Sequence, residues 1–287
     1  MSQENNSIKG WQRILILIPP YFLFVGGFQL VGYFVSGADI ENIENTSFLL
    51  TSEQRLITLF FNLVSTLCLV WFLMKVIDDE PFIQLGLHLK NRLNNIILGL
   101  LLGFLIMLLG GLIIYYFDDL QFYKLNYDVN EIILSIVLFT IVAIVEEVLF
   151  RGYILRNLMY SFNKYFALFL SSVLFSLMHG ANPNMDWFSF LNLFLAGILL
   201  GVSYIYTKNL WFPIALHFSW NFFQTLFGFN VSGQDFYSLI EFRISEKNIL
   251  NGGNFGFEGS ILSIIVQVIL ILTVIIYYQN KKIKVQT

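Results

Sequence analysis

Eight long apolar runs constrain this chain more than any other feature of its sequence. They cover roughly residues 14–35, 56–77, 94–117, 132–159, 165–180, 187–207, 211–229 and 260–279. Because a helix needs ~20 apolar residues to cross ~30 Å of hydrocarbon, most of these runs can span a membrane, and only the fifth and seventh are short. With 57% hydrophobic and 12% charged residues, the chain is far more apolar than a soluble domain. The sequence therefore predicts a single all-α domain over residues 1–287, a polytopic membrane protein with about eight transmembrane helices.

The distribution of Lys and Arg between the runs predicts the orientation of the helices. If the N-terminus is cytoplasmic, the connections on the outer side contain only four of the 16 basic residues: Arg55, Lys124, Arg243 and Lys247. The outer connections are acidic instead and contain Asp39, Glu41, Glu44, Asp118, Asp119 and Asp128. This asymmetry predicts that both termini are cytoplasmic, with the lipid bilayer of a bacterial plasma membrane as the setting.

The small number of charges and cysteines excludes several classes of function. The net charge is -3 and the basic residues form no patch, so nothing predicts nucleic-acid binding. The single cysteine, Cys68, excludes an internal disulfide and a multi-cysteine metal site. The segment 230–259 is rich in Asn, Gly and Ser, which predicts an extracytoplasmic loop. We expect this loop to be a mobile connector that could also cover an outer opening.

Ionisable residues inside the apolar runs are the strongest functional signal. The fourth run contains Glu146, Glu147 and Arg151, while His179 and His217 lie in the fifth and seventh. Such groups cost several kcal/mol each unless they pair or line a wet cavity, so they mark a functional site. Residues four apart share a helix face, and adjacent residues point ~100° apart. The sequence therefore predicts an ion pair between Glu147 and Arg151, and it leaves Glu146 to find a partner on another helix.

The depths of these residues indicate that they can meet. Glu146 lies 15 residues above a predicted turn near Ser161, which is ~22 Å along a helix. His179 lies at ~21 Å in the next run, counted from the same side. His217 lies nearer the start of its run, and Asn221 follows one turn later on the same helix face. These positions predict an intramembrane polar cavity formed by the fourth, fifth and seventh helices.

The residue types in this cavity favour hydrolysis of an amide bond. A buried carboxylate beside a neutral imidazole, as Glu146 and His179 would form, can hold and deprotonate a water molecule. An imidazole and a carboxamide on one helix face, His217 and Asn221, can donate hydrogen bonds to an oxyanion that develops on a substrate carbonyl.

Three motifs in this order resemble those of a known family. They are Glu-Glu-x-x-x-Arg at 146–151, Phe-x-x-x-His at 175–179 and His-x-x-x-Asn at 217–221. Together they resemble the CAAX prenyl protease and bacteriocin-processing (CPBP, or Abi) family of intramembrane proteases. The resemblance covers roughly residues 140–225, a predicted protease core, and includes Gly197 and Gly201, whose spacing permits close helix packing.

The resemblance implies an intramembrane endopeptidase that cleaves a peptide or membrane-protein substrate. It implies that Glu146 and His179 activate water and that His217 and Asn221 stabilise the oxyanion. By the same comparison, the last two motif residues are supporting residues: Glu147 and Arg151.

Metal dependence stays open at this point, because members of the family are described both as metalloproteases and as metal-free glutamate proteases. Glu146, His179 and His217 could form a zinc site with one open position. Metal-free catalysis is favoured, since an oxyanion role for His217 also gives Asn221 a purpose. The sequence therefore assigns no cofactor to the site, and zinc is the alternative.

Other interpretations compete with the protease. Glu147 and Arg151 could be a pair that only stabilises the fold. A non-catalytic bacteriocin-immunity or scaffold protein of the same fold would use the cavity for binding alone. A proton-coupled transporter is less favoured, because transporters commonly show repeated halves and the polar residues here occupy only the fourth, fifth and seventh runs. The sequence indicates neither the substrate nor the oligomeric state.

Overall fold

The computed structural model describes residues 8–38, 50–117, 120–244 and 246–286, with side chains as far as Lys281. Five of the acidic residues predicted on the outer side lie outside the described residues: Asp39, Glu41, Glu44, Asp118 and Asp119. The orientation of the chain in the membrane stays a prediction.

Eight helices make up most of the described chain, as the apolar runs predicted. They are α1 (Gly10–Val35), α2 (Ser52–Asp78), α3 (Leu93–Tyr116), α4 (Val129–Ser161), α5 (Lys164–Met178), α6 (Trp187–Thr207), α7 (Trp211–Leu226) and α8 (Ile261–Gln286). Six of them, all except α5 and α7, are long and apolar enough to cross a membrane. The polytopic helical architecture is therefore confirmed. Helices α5 and α7, with 15 and 16 residues, reach only ~22–24 Å, less than the hydrocarbon thickness.

Two helices contain π-helical segments beside the cavity described below. In α1, Pro19 and Pro20 lie inside the helix and are followed by a π-helical turn at Tyr21–Val25. In α4, the α-helix passes into a π-helical segment, Val148–Leu155, directly after Glu147. Proline removes backbone hydrogen bonds, and single π-turns are found frequently at functional sites.

A small antiparallel sheet, which the sequence analysis did not predict, lies at the predicted outer side. It pairs β1 (Leu120–Leu125) with β2 (Ile240–Ile244). In β2, Ile240, Phe242 and Ile244 alternate with charged residues, which is the period-two pattern of a strand. This alternation over five residues was the available sequence signal for the strand. It is short, and the longer apolar runs of the neighbouring helices dominate the hydropathy pattern.

The predicted mobile connector at 230–259 is instead compact. It contains β2 and two 3₁₀ turns, Gly253–Phe255 and Phe257–Gly259, whose aromatic rings are buried. The backbone N–H of Gly233 donates a hydrogen bond to the carbonyl of Phe255 at 3.0 Å. Because these aromatic side chains pack into the bundle, the glycine-rich composition does not produce the irregular connector that was expected.

Helix α6 packs closely against α5 through two glycines. A Cβ atom at Gly197 would lie 2.8 Å from Cβ of Ser172, and one at Gly201 would lie 2.5 Å from Cδ1 of Leu168. Such distances are shorter than non-bonded contacts, so a larger residue at Gly197 would push the two backbones apart, and one at Gly201 would require the Leu168 side chain to move. This is the close approach that the Gly-x-x-x-Gly spacing predicted.

Helix α3 approaches α7 in the same way. A Cβ atom at Gly99 would lie 2.8 Å from the backbone nitrogen of Leu216, and one at Gly103 would lie 2.6 Å from Cβ of Ser219. The two helices therefore pack backbone against backbone on both sides of residue 217.

Helices α2 and α4 run parallel and in register. Near their starts, Ser52 Oγ donates a hydrogen bond to Glu131 Oε2 at 2.6 Å. Near their ends, Asn157 Nδ2 donates to Asp78 Oδ2 at 3.3 Å. Both pairs are separated by 79 residues in sequence, so this offset relates positions at equal height along the two helices.

Candidate active site

The predicted catalytic residues line one cavity of about 470 Å³. Glu146 lies at the end of the α-helical part of α4, two residues before the π-helical segment begins at Val148. His179 is the first residue after α5, and α7 contributes His217 and Asn221. The three helices that were expected to form the site thus bring these side chains to the same cavity.

The carboxylate of Glu146 lies between the two imidazoles. Its Oε2 atom is 3.7 Å from Nε2 of His179 and 3.9 Å from Nε2 of His217. Among the described residues, this buried oxygen has no hydrogen-bond partner. The distances are too long for direct hydrogen bonds, so neither imidazole satisfies this oxygen.

The end of helix α5 orients the ring of His179. Its Nδ1 lies 2.8 Å from the carbonyl oxygen of Phe175, and the two side-chain rings are 4.7 Å apart. A carbonyl oxygen only accepts hydrogen bonds, so Nδ1 carries the proton. The lone pair of Nε2 in the neutral ring therefore faces Glu146.

Glu147 connects α4 to α7. Its Oε1 accepts hydrogen bonds from Arg151 Nη1 at 2.8 Å and from His217 Nδ1 at 2.9 Å, and all three side chains are buried. The guanidinium of Arg151 also donates to the carbonyl of Gly197 at 3.2 Å and lies over the ring of Phe175. Helical spacing predicted the pair with Arg151. The bond to His217 was missed, because contacts between helices leave no mark in local spacing.

The bond to Glu147 determines what His217 can do. Its Nδ1–H donates to the carboxylate, so only Nε2 is directed towards Glu146. This nitrogen is an acceptor in the neutral ring and becomes a donor when the ring is protonated. With two carboxylates and one guanidinium around it, a protonated ring brings the formal charge of the cluster to zero, which lowers the cost of burial.

The carboxamide of Asn221 is available to a ligand. Asn221 lies one turn after His217 on α7, lines the cavity and is only 5% exposed. Its side chain makes no hydrogen bond within the described part of the chain. A substrate oxygen in the cavity can therefore accept a hydrogen bond from this amide without displacing another partner.

The cavity wall also contains polar residues that the sequence analysis did not select, notably Arg55 and Glu258. Oε2 of Glu258 accepts hydrogen bonds from the backbone N–H of Ser232 at 2.7 Å and from its hydroxyl at 2.9 Å. Burial raises the pKa of the Glu258 carboxyl, and the bonds from Ser232 oppose that rise. Neither residue lies in a motif, so only the tertiary structure places them at the site.

The described residues contain no group of three or more His, Cys, Asp or Glu side chains arranged to hold a metal ion. The zinc alternative would need Glu146, His179 and His217 to form such a group. The choice between a metal-free and a zinc mechanism stays a prediction.

Comparison with known protein families finds a match over residues 128–223, to the family described as type II CAAX prenyl endopeptidase Rce1-like. The match covers about a third of the chain and includes every predicted site residue. It confirms the family resemblance that the three motifs predicted. At the level of the family, it supports an endopeptidase embedded in the membrane. No curated protein matches the chain.

Proposed function

We propose that this protein is an intramembrane endopeptidase that hydrolyses a peptide bond in a peptide or membrane-protein substrate. One observation carries the proposal: a buried oxygen of Glu146, without a partner among the described residues, lies between two imidazole nitrogens. A carboxylate in such surroundings is costly unless it binds a ligand or water. The match to an endopeptidase family over residues 128–223 supports the same chemistry.

In the proposed reaction, Glu146 and His179 hold the attacking water molecule. The water donates one hydrogen to Glu146 Oε2 and the other to the Nε2 lone pair of His179, which directs a lone pair of its oxygen at the substrate carbonyl. Glu146 accepts a proton as the water attacks. It then returns this proton to the amine nitrogen that leaves, so the carboxylate is restored.

His217 and Asn221 are proposed to stabilise the tetrahedral intermediate. The protonated ring of His217 donates from Nε2 to the oxyanion, and Asn221 donates from its carboxamide. Glu147 acts through His217 as a positioning residue, because it accepts Nδ1–H and fixes which nitrogen faces the cavity. Arg151 in turn balances the charge of Glu147.

The test compares membranes of cells that express the wild-type chain, Glu146→Gln or His179→Ala. We expect peptidomics to reveal products that only the wild type forms, while both variants are inserted at normal levels. Glu241→Gln is a matched control, because Glu241 lies in β2 and pairs with Lys124 at the surface. Processing retained by either variant would contradict the mechanism, and a non-catalytic scaffold protein would give identical peptide profiles for all four.

Two further parts of the proposal need separate measurements. Reporter fusions to the termini test the proposed cytoplasmic location of both, and an external C-terminus would contradict it. Metal analysis and chelator treatment of purified active protein test the metal-free mechanism. Stoichiometric zinc that is lost together with activity would overturn it.

A further inference from the structure

The cavity extends beyond the catalytic residues to α1 and α2, where Arg55 lines its wall. Nε of Arg55 donates a hydrogen bond to the carbonyl of Leu50 at 3.2 Å, and the guanidinium lies 4.5 Å from the ring centre of Phe236. Among the described residues, its buried Nη1 atom has no hydrogen-bond partner. Asp235 acts on this charge electrostatically, but Arg55 forms no ion pair within the described residues.

A guanidinium in this state is suited to bind an anion. Arg presents its N–H groups in a planar fork that matches the two oxygens of a carboxylate. A buried donor without a partner loses free energy that a bound acceptor would restore. Because the ring of Phe236 and the carbonyl of Leu50 hold the guanidinium at the cavity wall, little side-chain freedom remains to be lost when a ligand binds.

The register of α2 and α4 gives the separation between the backbone positions of Arg55 and Glu146 along the helix axes. With the offset of 79 residues, Arg55 lies level with position 134 of α4, which is 12 residues before Glu146. This separation is ~18 Å along the helices. An extended peptide advances ~3.3 Å per residue, so the distance corresponds to about five substrate residues.

We propose that Arg55 binds a carboxylate of the substrate about five residues from the peptide bond that is cleaved. The inference rests on the proposed function, which makes the occupant of the cavity a peptide. The carboxylate can be the C-terminus of that peptide or the side chain of an Asp or Glu at this position. Arg55 is thus a specificity-determining residue that selects and aligns the substrate.

A binding experiment with defined probes tests this inference without any need for turnover. The probe is a short, fluorescent, apolar peptide in detergent micelles, prepared with a free C-terminal carboxylate, with a C-terminal amide, or with the amide and a terminal Glu. The protein is full-length Glu146→Gln, alone or combined with Arg55→Gln, Arg55→Lys or Arg243→Gln. Arg243 is the matched control, because it lies in β2 over the ring of Tyr123, outside the cavity.

We expect at least one carboxylate form to bind ~10-fold or more tightly than the plain amide. The form that is preferred identifies the source of the carboxylate. Arg55→Gln should abolish the preference, Arg55→Lys should keep part of it, and Arg243→Gln should keep all of it. Equal binding of the three forms to the parent protein, or a preference that persists in Arg55→Gln, would overturn the inference.

The outcome separates this inference from the proposed function. Mass spectrometry of the preferred probe incubated with wild-type protein shows whether it is cleaved, and we expect a cut about five residues from the carboxylate. Arg55-dependent binding without any cleavage would contradict the protease and leave the carboxylate site standing. Cleavage that does not depend on Arg55 would contradict the carboxylate site and leave the proposed protease standing.

Discussion

Helix α4 takes part in two buried ionic clusters, a lower one around Asp78 near the end of the helix and an upper one around Glu146 and Glu147. They differ in whether every carboxylate oxygen has a hydrogen-bond partner. In the lower cluster, Asp78 accepts from Arg13 at 3.0 Å through Oδ1, and from Arg156 at 3.4 Å and Asn157 at 3.3 Å through Oδ2. Both of its oxygens therefore have partners, and the cluster ties α1, α2 and α4 together.

The upper cluster, formed by Glu146, Glu147, Arg151 and His217, is incomplete. One carboxylate oxygen of Glu146 and one of Glu147 are buried without a partner among the described residues. Buried polar groups in a structural network are normally satisfied, so the lower cluster has the character of a structural element and the upper one that of a ligand site. The comparison teaches that an unsatisfied carboxylate oxygen, and not the buried charge itself, distinguishes the candidate site within the described part of the chain.

The largest expected effect tests the unsatisfied atom directly. Glu146→Gln should lower kcat for peptide hydrolysis by ~10³-fold, because the proposed general base is removed. Its thermal unfolding midpoint should stay close to that of the wild type, since the Oε2 atom makes no hydrogen bond within the described residues. Kinetics and thermal unfolding on the same preparation measure both. If the variant is inactive only because it is unstable, Glu146 is a structural residue like Asp78, and the two clusters do not differ in the way proposed.

Asp78→Asn should have the opposite profile. The substitution leaves Arg13 buried with a neutral partner, whereas Arg156 keeps its ion pair with Glu80. We expect a loss of about 3 kcal/mol in the free energy of unfolding. The kcat of the folded fraction should be unchanged. Denaturant titration in detergent gives the stability, with Glu241→Gln at the exposed pair as the control, expected below ~0.5 kcal/mol. A selective fall in kcat would show that the lower cluster takes part in catalysis.

Asn221→Ala tests the proposed oxyanion donor. Loss of one such donor should lower kcat by ~10²-fold with little change in KM, because the interaction forms mainly in the transition state. Stability should be nearly unaffected, since the carboxamide makes no hydrogen bond within the described chain. Steady-state kinetics with the identified substrate provide the measurement, and a change confined to KM would contradict the role.

Glu147→Gln should lower kcat less than the other two substitutions in the cavity and should also reduce stability, because Glu147 both orients His217 and pairs with Arg151. The amide oxygen can still accept from Arg151 or His217, but the charge that balances them is lost. We expect a loss of ~10-fold in kcat, because the alignment of His217 is weakened. The free energy of unfolding should fall by about 3 kcal/mol, as for Asp78→Asn. Glu147→Asp should recover part of the stability without recovering the alignment of His217.

The sequence predicted those parts of the molecule that depend on local patterns. The hydropathy of each run located all eight helices, and the spacing of four residues located the bond between Glu147 and Arg151. Counting residues from the turn between α4 and α5 also predicted that Glu146 and His179 would lie at similar depth, and the two side chains are neighbours.

Features that depend on contacts between distant segments escaped prediction. The hydrogen bond from His217 to Glu147, the placement of Arg55 and the packing of Phe257 all join residues from different helices or loops. The prediction of a mobile connector at 230–259 rested on composition, and glycine and asparagine are common both in mobile loops and in compact turns. Such features follow from the assembled bundle, and a single sequence contains no local signal for them.

The close packing of α3 against α7 has a consequence for mutational sensitivity. Helix α3 lies outside the matched segment and contributes none of the proposed catalytic residues, yet Gly99 and Gly103 contact Leu216 and Ser219, which flank His217. A single added methyl group at either glycine would displace α7, and a misplacement of ~1 Å in a catalytic group can cost ~10²-fold in rate. A screen for inactive variants should therefore identify an uncharged helix alongside the charged residues, because the proposed activity depends on the distance between two backbones.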